Sequence, residues 1–161
     1  MMTGMTIATP VYPEFNMYDI REPCVEKGLC YPDDHIAEVM NSDLYREHFN
    51  ITTPMAWEMC APMPHLMLSF DQNKMAGYKL AKLLDEDIPI LIYNGDKDYI
   101  CNWMGGLAWT EALEWTGYEG YKEAPVENWM TASSKHGGQS KSFGSLTFLK
   151  VFNAGHMVPM D

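Results

Sequence analysis

Apolar and polar positions follow two different periods along this chain, and the change of period divides it. Residues 1 to 30 are rich in Pro, Gly and polar residues without helical spacing, and read as loop or extended segments. From Pro32 to Met40 turn formers and acids precede apolar positions, and Ser42 to Phe49 repeats the arrangement, so two short helices in tandem are predicted. The stretch from Ile51 to His65 holds Pro54, Pro62 and Pro64 and is expected to wind over a surface. Asp71 to Asp87 sets Met75, Tyr78, Leu80, Leu83 and Leu84 near helical spacing, which predicts a helix of about four turns.

Beyond Asp87 the period shortens. Ile88 to Tyr93 is a brief apolar run of the kind a strand buried on both faces requires, and Asn94-Gly95-Asp96 stops it at once. Ile100 to Trp115 fits a helix leaving that loop, with Gly105-Gly106 as a soft spot, and Gly117 to Glu123 turns the chain. Val126 to Ala132 reads as a strand, Ser133 to Ser142 as a polar turn or exposed loop, and Leu146 to Phe152 has strong strand composition. Strand, loop, helix, strands and a final loop make up the closing part of an α/β sheet. The most visible break falls at residues 71 to 87, dividing residues 1–70 from residues 71–161.

Composition narrows the partners. The chain has 161 residues, 47% of them hydrophobic, which is enough for one core and unlike a disordered segment. A formal net charge of -11 makes nucleic acid and anionic membranes poor partners and loosely fits an acidic compartment. No run of about 18 apolar residues is present, so no membrane span is expected, and no secretion signal is legible. Cys24, Cys30, Cys60 and Cys101 form no CxxC pair and no finger spacing with a histidine, which argues against a metal site; no cofactor is expected either. Cys24 and Cys30 bracket a short loop that Gly28 lets turn, so an oxidising compartment would permit a local disulfide. The sequon Asn50-Ile51-Thr52 points weakly the same way and makes Asn50 a candidate glycosylation site.

Two loops carry candidate chemistry. Asp96 and Asp98 follow one apolar strand, and His156 follows another after Gly155, a residue that lets the backbone turn sharply. An acid and a histidine on loops at the ends of neighbouring strands are two of the three members of a hydrolase triad, in which the acid fixes the tautomer of the base. Each residue alone is more often a turn former or a surface group; the pair on successive strand ends carries the signal.

Three segments extend this beyond spacing. Tyr93-Asn-Gly-Asp-Lys-Asp-Tyr-Ile-Cys-Asn-Trp-Met-Gly105, Ala108-Trp-Thr-Glu-Ala-Leu113 and Val151-Phe-Asn-Ala-Gly-His-Met-Val-Pro159 closely resemble the C-terminal third of serine carboxypeptidases, in the carboxypeptidase Y and cathepsin A branch. Asn16-Met-Tyr-Asp-Ile-Arg21 with Cys24 and Leu29-Cys-Tyr31 extends the resemblance to roughly residues 15–161. It implies the C-terminal part of an α/β-hydrolase fold, with residues 1–70 a remnant of the inserted cap region and residues 71–161 part of the core.

The same resemblance makes Asp98 the triad acid and His156 the base, with Asp96 a loop former. It makes Cys101 a thiol beside the substrate pocket, a position that also suits a small buried thiol, and places Met157 on the leaving-group side of the cleft. It pairs Cys24 with Cys30, and matches Cys60 to a cysteine bonded to one far upstream, a partner not evident here. The implied activity is release of C-terminal residues from peptides or proteins, in a vacuole or lysosome or outside the cell.

The nucleophile is missing from this picture. No Gly-x-Ser-x-Gly elbow occurs among the 161 residues, nor an early glycine-rich oxyanion loop. His136-Gly-Gly138 lies after the acid and reads as a polar hairpin loop, while Met55, Met59, Met63 and Met67 fall at four-residue intervals that the nearby prolines are expected to disrupt. The expectation is a C-terminal piece of a serine carboxypeptidase, inactive alone, whose partner is the missing N-terminal portion of the same enzyme. An acyltransferase on the same scaffold and a non-catalytic binding or protective module are the alternatives.

Overall fold

The computed structural model describes residues 15–24, 30, 34–59, 61–72, 74 and 76–161; Cys60 and Met75 lie outside the described residues. The tandem helices are present as α1 (Asp34–Asn41) and α2 (Asp43–His48). Ser42 separates them by capping α2, its hydroxyl accepting from the Tyr45 N–H at 3.2 Å.

The single helix expected over Asp71 to Asp87 is two. One helix, α3 (Pro62–Gln72), begins much earlier, and the next, α4 (Gly77–Asp85), starts after a break. Pro62 and Pro64 sit in the first turn of α3, where an absent N–H removes no intrahelical bond, so the prolines start this helix instead of disrupting it. Met63 and Met67 are therefore helical and, with Leu66, Leu68 and Phe70, exposed.

The sheet comprises β1 (Ile90–Gly95), β2 (Val126–Met130), β3 (His136–Phe143) and β4 (Leu146–Val151), in the order β1-β4-β3-β2. β1 runs parallel to β4, while β3 runs antiparallel to both of its neighbours, β4 and β2. Between β1 and β2 lie α5 (Trp103–Glu111) and α6 (Tyr118–Glu123). The turn expected at Gly117 to Glu123 is thus a short helix, held by the buried Tyr121, whose hydroxyl donates to Thr110 Oγ1 at 3.3 Å.

Two strand expectations change. Ser133 to Ser142 is not a loop throughout, because His136 onward, including Gly137 and Gly138, belongs to β3. Its residues have little strand preference of their own, but β3 is hydrogen-bonded on both sides, and Lys141 is buried with its ammonium 2.7 Å from Glu111. β1 is not covered on both faces: Leu91 and Tyr93 are exposed, while Ile90 and Ile92 pack on the core. Period-two geometry sends alternate side chains to opposite faces, and one face of β1 has cover among the described residues.

That core joins Ala81, Leu84, Leu113, Tyr121, Leu146 and Phe148, with Trp103 and Leu107 against it. Leu146 and Phe148, at 0% and 3% exposed, carry the weight of β4; burying such a side chain stabilises by about 1.5–3 kcal/mol. The helices α4 and α5 thereby hold one face of the sheet, leaving the carboxyl ends of β1 and β4 side by side.

Candidate active site

Parallel neighbours end at the same edge of a sheet, so the loops that follow them emerge together. Gly95 at the end of β1 is in register with Val151 at the end of β4. The two loops then zip together: Asp96 N–H donates to the Val151 carbonyl at 2.9 Å, Lys97 N–H to the Ala154 carbonyl at 2.9 Å, and Asn153 N–H to Asp96 Oδ1 at 2.8 Å. A Cβ on Gly95 would lie 2.2 Å from the Ala154 carbonyl oxygen and 2.3 Å from that of Gly155, so this close approach requires glycine.

The zipper brings Asp98 and His156 together. Asp98 Oδ2 lies 3.0 Å from His156 Nδ1, and Oδ1 accepts from the Cys101 N–H at 3.0 Å. The Asp98 side chain is 3% exposed and that of His156 36%, so a buried carboxylate holds one edge of a ring that is open to solvent. A carboxylate only accepts, which assigns the proton to Nδ1 and leaves a lone pair on Nε2, the arrangement a general base needs. The ring of Tyr18 stands 5.4 Å from the imidazole.

The acid loop is anchored from behind. Asn94 Nδ2 donates to the Cys101 carbonyl at 2.9 Å, and Asn102 caps α5, its Oδ1 accepting from the Gly105 N–H at 2.9 Å. Cys101 is a free, exposed residue and not a small buried thiol. The partial dehydration of its surroundings, and secondarily the Asp98 carboxylate, push the thiol above its ordinary value, which keeps it protonated at neutral pH and unlike an activated nucleophile.

Asp98, Cys101 and His156 also present ligand atoms within 4.8 Å of one another. Oxygen, sulfur and nitrogen together suit a soft divalent ion, but an ion there would have to break the Asp98–His156 hydrogen bond and take the thiol proton.

The other expected residues are dispersed. Met157 is 41% exposed next to His156, at the entry to a 3₁₀ turn (Val158–Met160). Cys24 and Cys30 form a disulfide. Asn50 is exposed on the turn after α2. Two contributors escaped sequence reasoning: Gly95, and the segment Asn16–Arg21, whose carbonyl at Tyr18 accepts from the His156 N–H at 2.7 Å. The signal for the last was its place in the resemblance.

A strand-end acid paired with a strand-end histidine on a partly parallel sheet is the arrangement of the C-terminal part of an α/β-hydrolase, and the serine carboxypeptidase family model matches residues 2–161, so the chain belongs to that family. It is 39% identical over 150 residues to carboxypeptidase Y of Saccharomyces cerevisiae, covering 91% of this chain and 28% of that protein. To the carboxypeptidase Y homolog A of Talaromyces stipitatus it is 39% identical over 152 residues, covering 91% of this chain and 27% of that protein. Among solved structures, a prohormone-processing carboxypeptidase from Saccharomyces cerevisiae superposes with a TM-score of 0.73 at 28% identity, over 91% of this chain and 33% of that one. The chain spans little more than a quarter of the length of the curated relatives it matches.

Proposed function

We propose that this chain carries the acid and base, Asp98 and His156, of a serine carboxypeptidase that in its complete form acts on the C-terminal peptide bonds of peptides or proteins. The observation that carries this reading is the 3.0 Å contact between His156 Nδ1 and the buried Asp98. His156 Nε2 takes the proton of a serine hydroxyl as it attacks the scissile carbonyl, then returns it to the leaving amine. Asp98 holds the ring in the productive tautomer and stabilises the imidazolium as it forms. The serine and the oxyanion donors belong to an N-terminal portion of the same enzyme, with which residues 71–161 complete the core and residues 1–70 contribute part of the cap. Cys101 and Met157 line the cleft beside the base.

Alone, the chain has no nucleophile in a strained elbow and is inactive. Incubation with a fluorophosphonate probe and an N-blocked dipeptide gives neither serine labelling nor released amino acid; labelling with turnover contradicts the proposal. Grafted in place of the matching segment of the Saccharomyces cerevisiae carboxypeptidase Y, the chain supports peptide release. There Asp98→Asn lowers kcat by about 10⁴-fold, the scale of that change in a well-studied triad. An active graft indifferent to Asp98→Asn refutes the assignment.

The Cys24–Cys30 disulfide and the exposed Asn50 sequon support passage through an oxidising, glycosylating route to a vacuole, a lysosome or the exterior. No helix of the described residues is long and apolar enough to cross a membrane. A mobility shift on deglycosylation, abolished by Asn50→Gln, tests that route.

A further inference from the structure

We propose that residues 16–21 form a clamp that positions the Asp98–His156 pair, with Arg21 as its central positioning residue. The segment holds both site loops through backbone atoms. On the acid side, Ile20 N–H donates to the Lys97 carbonyl at 3.1 Å, and the N–H groups of Tyr99 and Ile100 donate to the Met17 carbonyl at 3.2 and 3.1 Å. On the base side, the His156 N–H donates to the Tyr18 carbonyl at 2.7 Å. One short stretch thus spans the two loops whose separation decides the Asp98–His156 contact.

The clamp is built to keep its shape. Asn16 is 3% exposed, and its Oδ1 accepts from the Tyr18 and Asp19 N–H groups at 2.9 and 3.3 Å. Gly155 lets it lie close: a Cβ there would come within 2.6 Å of the Tyr18 carbonyl oxygen and 2.9 Å of Asp19 Oδ2.

Arg21 ties the clamp to the base loop. Its Nε donates to Asp19 Oδ1 at 2.9 Å and its Nη2 to Asp19 Oδ2, while Nη1 reaches the Asn153 carbonyl at 2.7 Å and Nη2 also reaches Asp161 Oδ1 at 3.1 Å. Asp161 completes the ring by accepting the Gly155 N–H on Oδ2 at 2.7 Å. Four acceptor atoms on three residues, set at fixed angles, match a planar guanidinium and exceed the three donors of an ammonium, so arginine is required for its shape as much as its charge. The backbone leading into His156 is thus tied at Asn153 by Arg21 itself and at Gly155 through Asp161.

This inference rests on Asp98 and His156 being the catalytic pair, but its test does not use activity. In the full chain, amide hydrogen exchange at Gly155 and His156 and the low-field Nδ1 proton signal of His156, assigned by its loss in Asp98→Asn, are compared between wild type and variants. Arg21→Gln accelerates exchange at Gly155 and His156 by about tenfold and removes the Nδ1 signal, while amides of the β3–β4 ladder keep their protection. Arg21→Lys restores part of both. Should Arg21→Gln loosen the ladder as well, Asp161→Asn decides: it leaves the Arg21–Asp19 pair in place and is expected to raise exchange at Gly155 and His156 selectively. Wild-type exchange and an intact Nδ1 signal in Arg21→Gln overturn the clamp, as do the same results in Asp161→Asn where Arg21→Gln unfolds the sheet. A graft that fails to respond to Asp98→Asn would remove the catalytic reading and leave these signals untouched.

Discussion

Helix α3 and strand β4 are both rich in large apolar residues, yet they meet opposite fates. In α3, Leu66, Met67, Leu68 and Phe70 are 61%, 72%, 56% and 89% exposed; in β4, Leu146 and Phe148 are all but sealed. The difference does not lie in composition. β4 is hydrogen-bonded to β1 on one side and β3 on the other, and α4 and α5 supply residues that press on its inner face. A contiguous apolar surface such as that of α3 becomes a core only when another surface meets it.

The most direct way to break this contrast is a matched pair of substitutions. Phe148→Ala is expected to cost about 3–5 kcal/mol, because it empties a closed site, whereas Phe70→Ala stays within about 0.5 kcal/mol. Urea unfolding of the two variants measures both, and equal losses would show that α3 is buried in solution.

Smaller in effect, Gly95→Ala probes how the edge of the sheet builds the site. Its methyl group would meet two backbone carbonyls that cannot rotate aside, so a loss of about 1–3 kcal/mol is expected together with a weakened His156 Nδ1 signal. A full signal in a stable variant would mean that the two loops approach each other without needing the space.

Next comes Asp19, buried in the clamp. Arg21 holds its carboxyl below the ordinary value of 3.8, by side-chain hydrogen bonding first, against the opposing effect of burial. A carboxyl lowered on folding stabilises above its unfolded value, and that stabilisation is withdrawn as pH falls through the lower folded value. Thermal midpoints followed from pH 6 downwards should fall more steeply in wild type than in Asp19→Asn through this acid range; parallel curves would separate Asp19 from the stability of the sheet region.

Least in size is the response of Cys101. Removing the Asp98 charge lowers the thiol toward its ordinary value and raises the thiolate fraction, but dehydration, the larger cause, remains. Alkylation at pH 8 should therefore accelerate only about two- to threefold in Asp98→Asn. An unchanged rate would show that the carboxylate does not act on the thiol.

Particular elements explain which parts of this architecture were legible in the residues. The tandem helices, β4 and the strand entering the acid loop were visible because local pattern and local structure agree there. β3 was not, since Gly137, Gly138, Ser140 and Ser142 read as a loop until two flanking strands pair with them. The start of α3 is hidden in the residues because proline usually ends a helix, although in a first turn it is harmless. Asp98 and His156 were singled out by their places after two strands and by resemblance, whereas Gly95, Asp96 and Arg21 act through contacts between distant segments.

Residue identity and short-range order are enough to place the chain in the serine carboxypeptidase family, to give its α/β character and to single out the candidate acid and base. Tertiary contacts are needed to show that one face of β1 has cover among the described residues, that a glycine lets the two loops close to a 3.0 Å contact, and that Asn16–Arg21 spans them. The physical reason is the same in each case: hydrogen bonds and close packing between residues far apart in the chain depend on where the backbone goes, which no local pattern records.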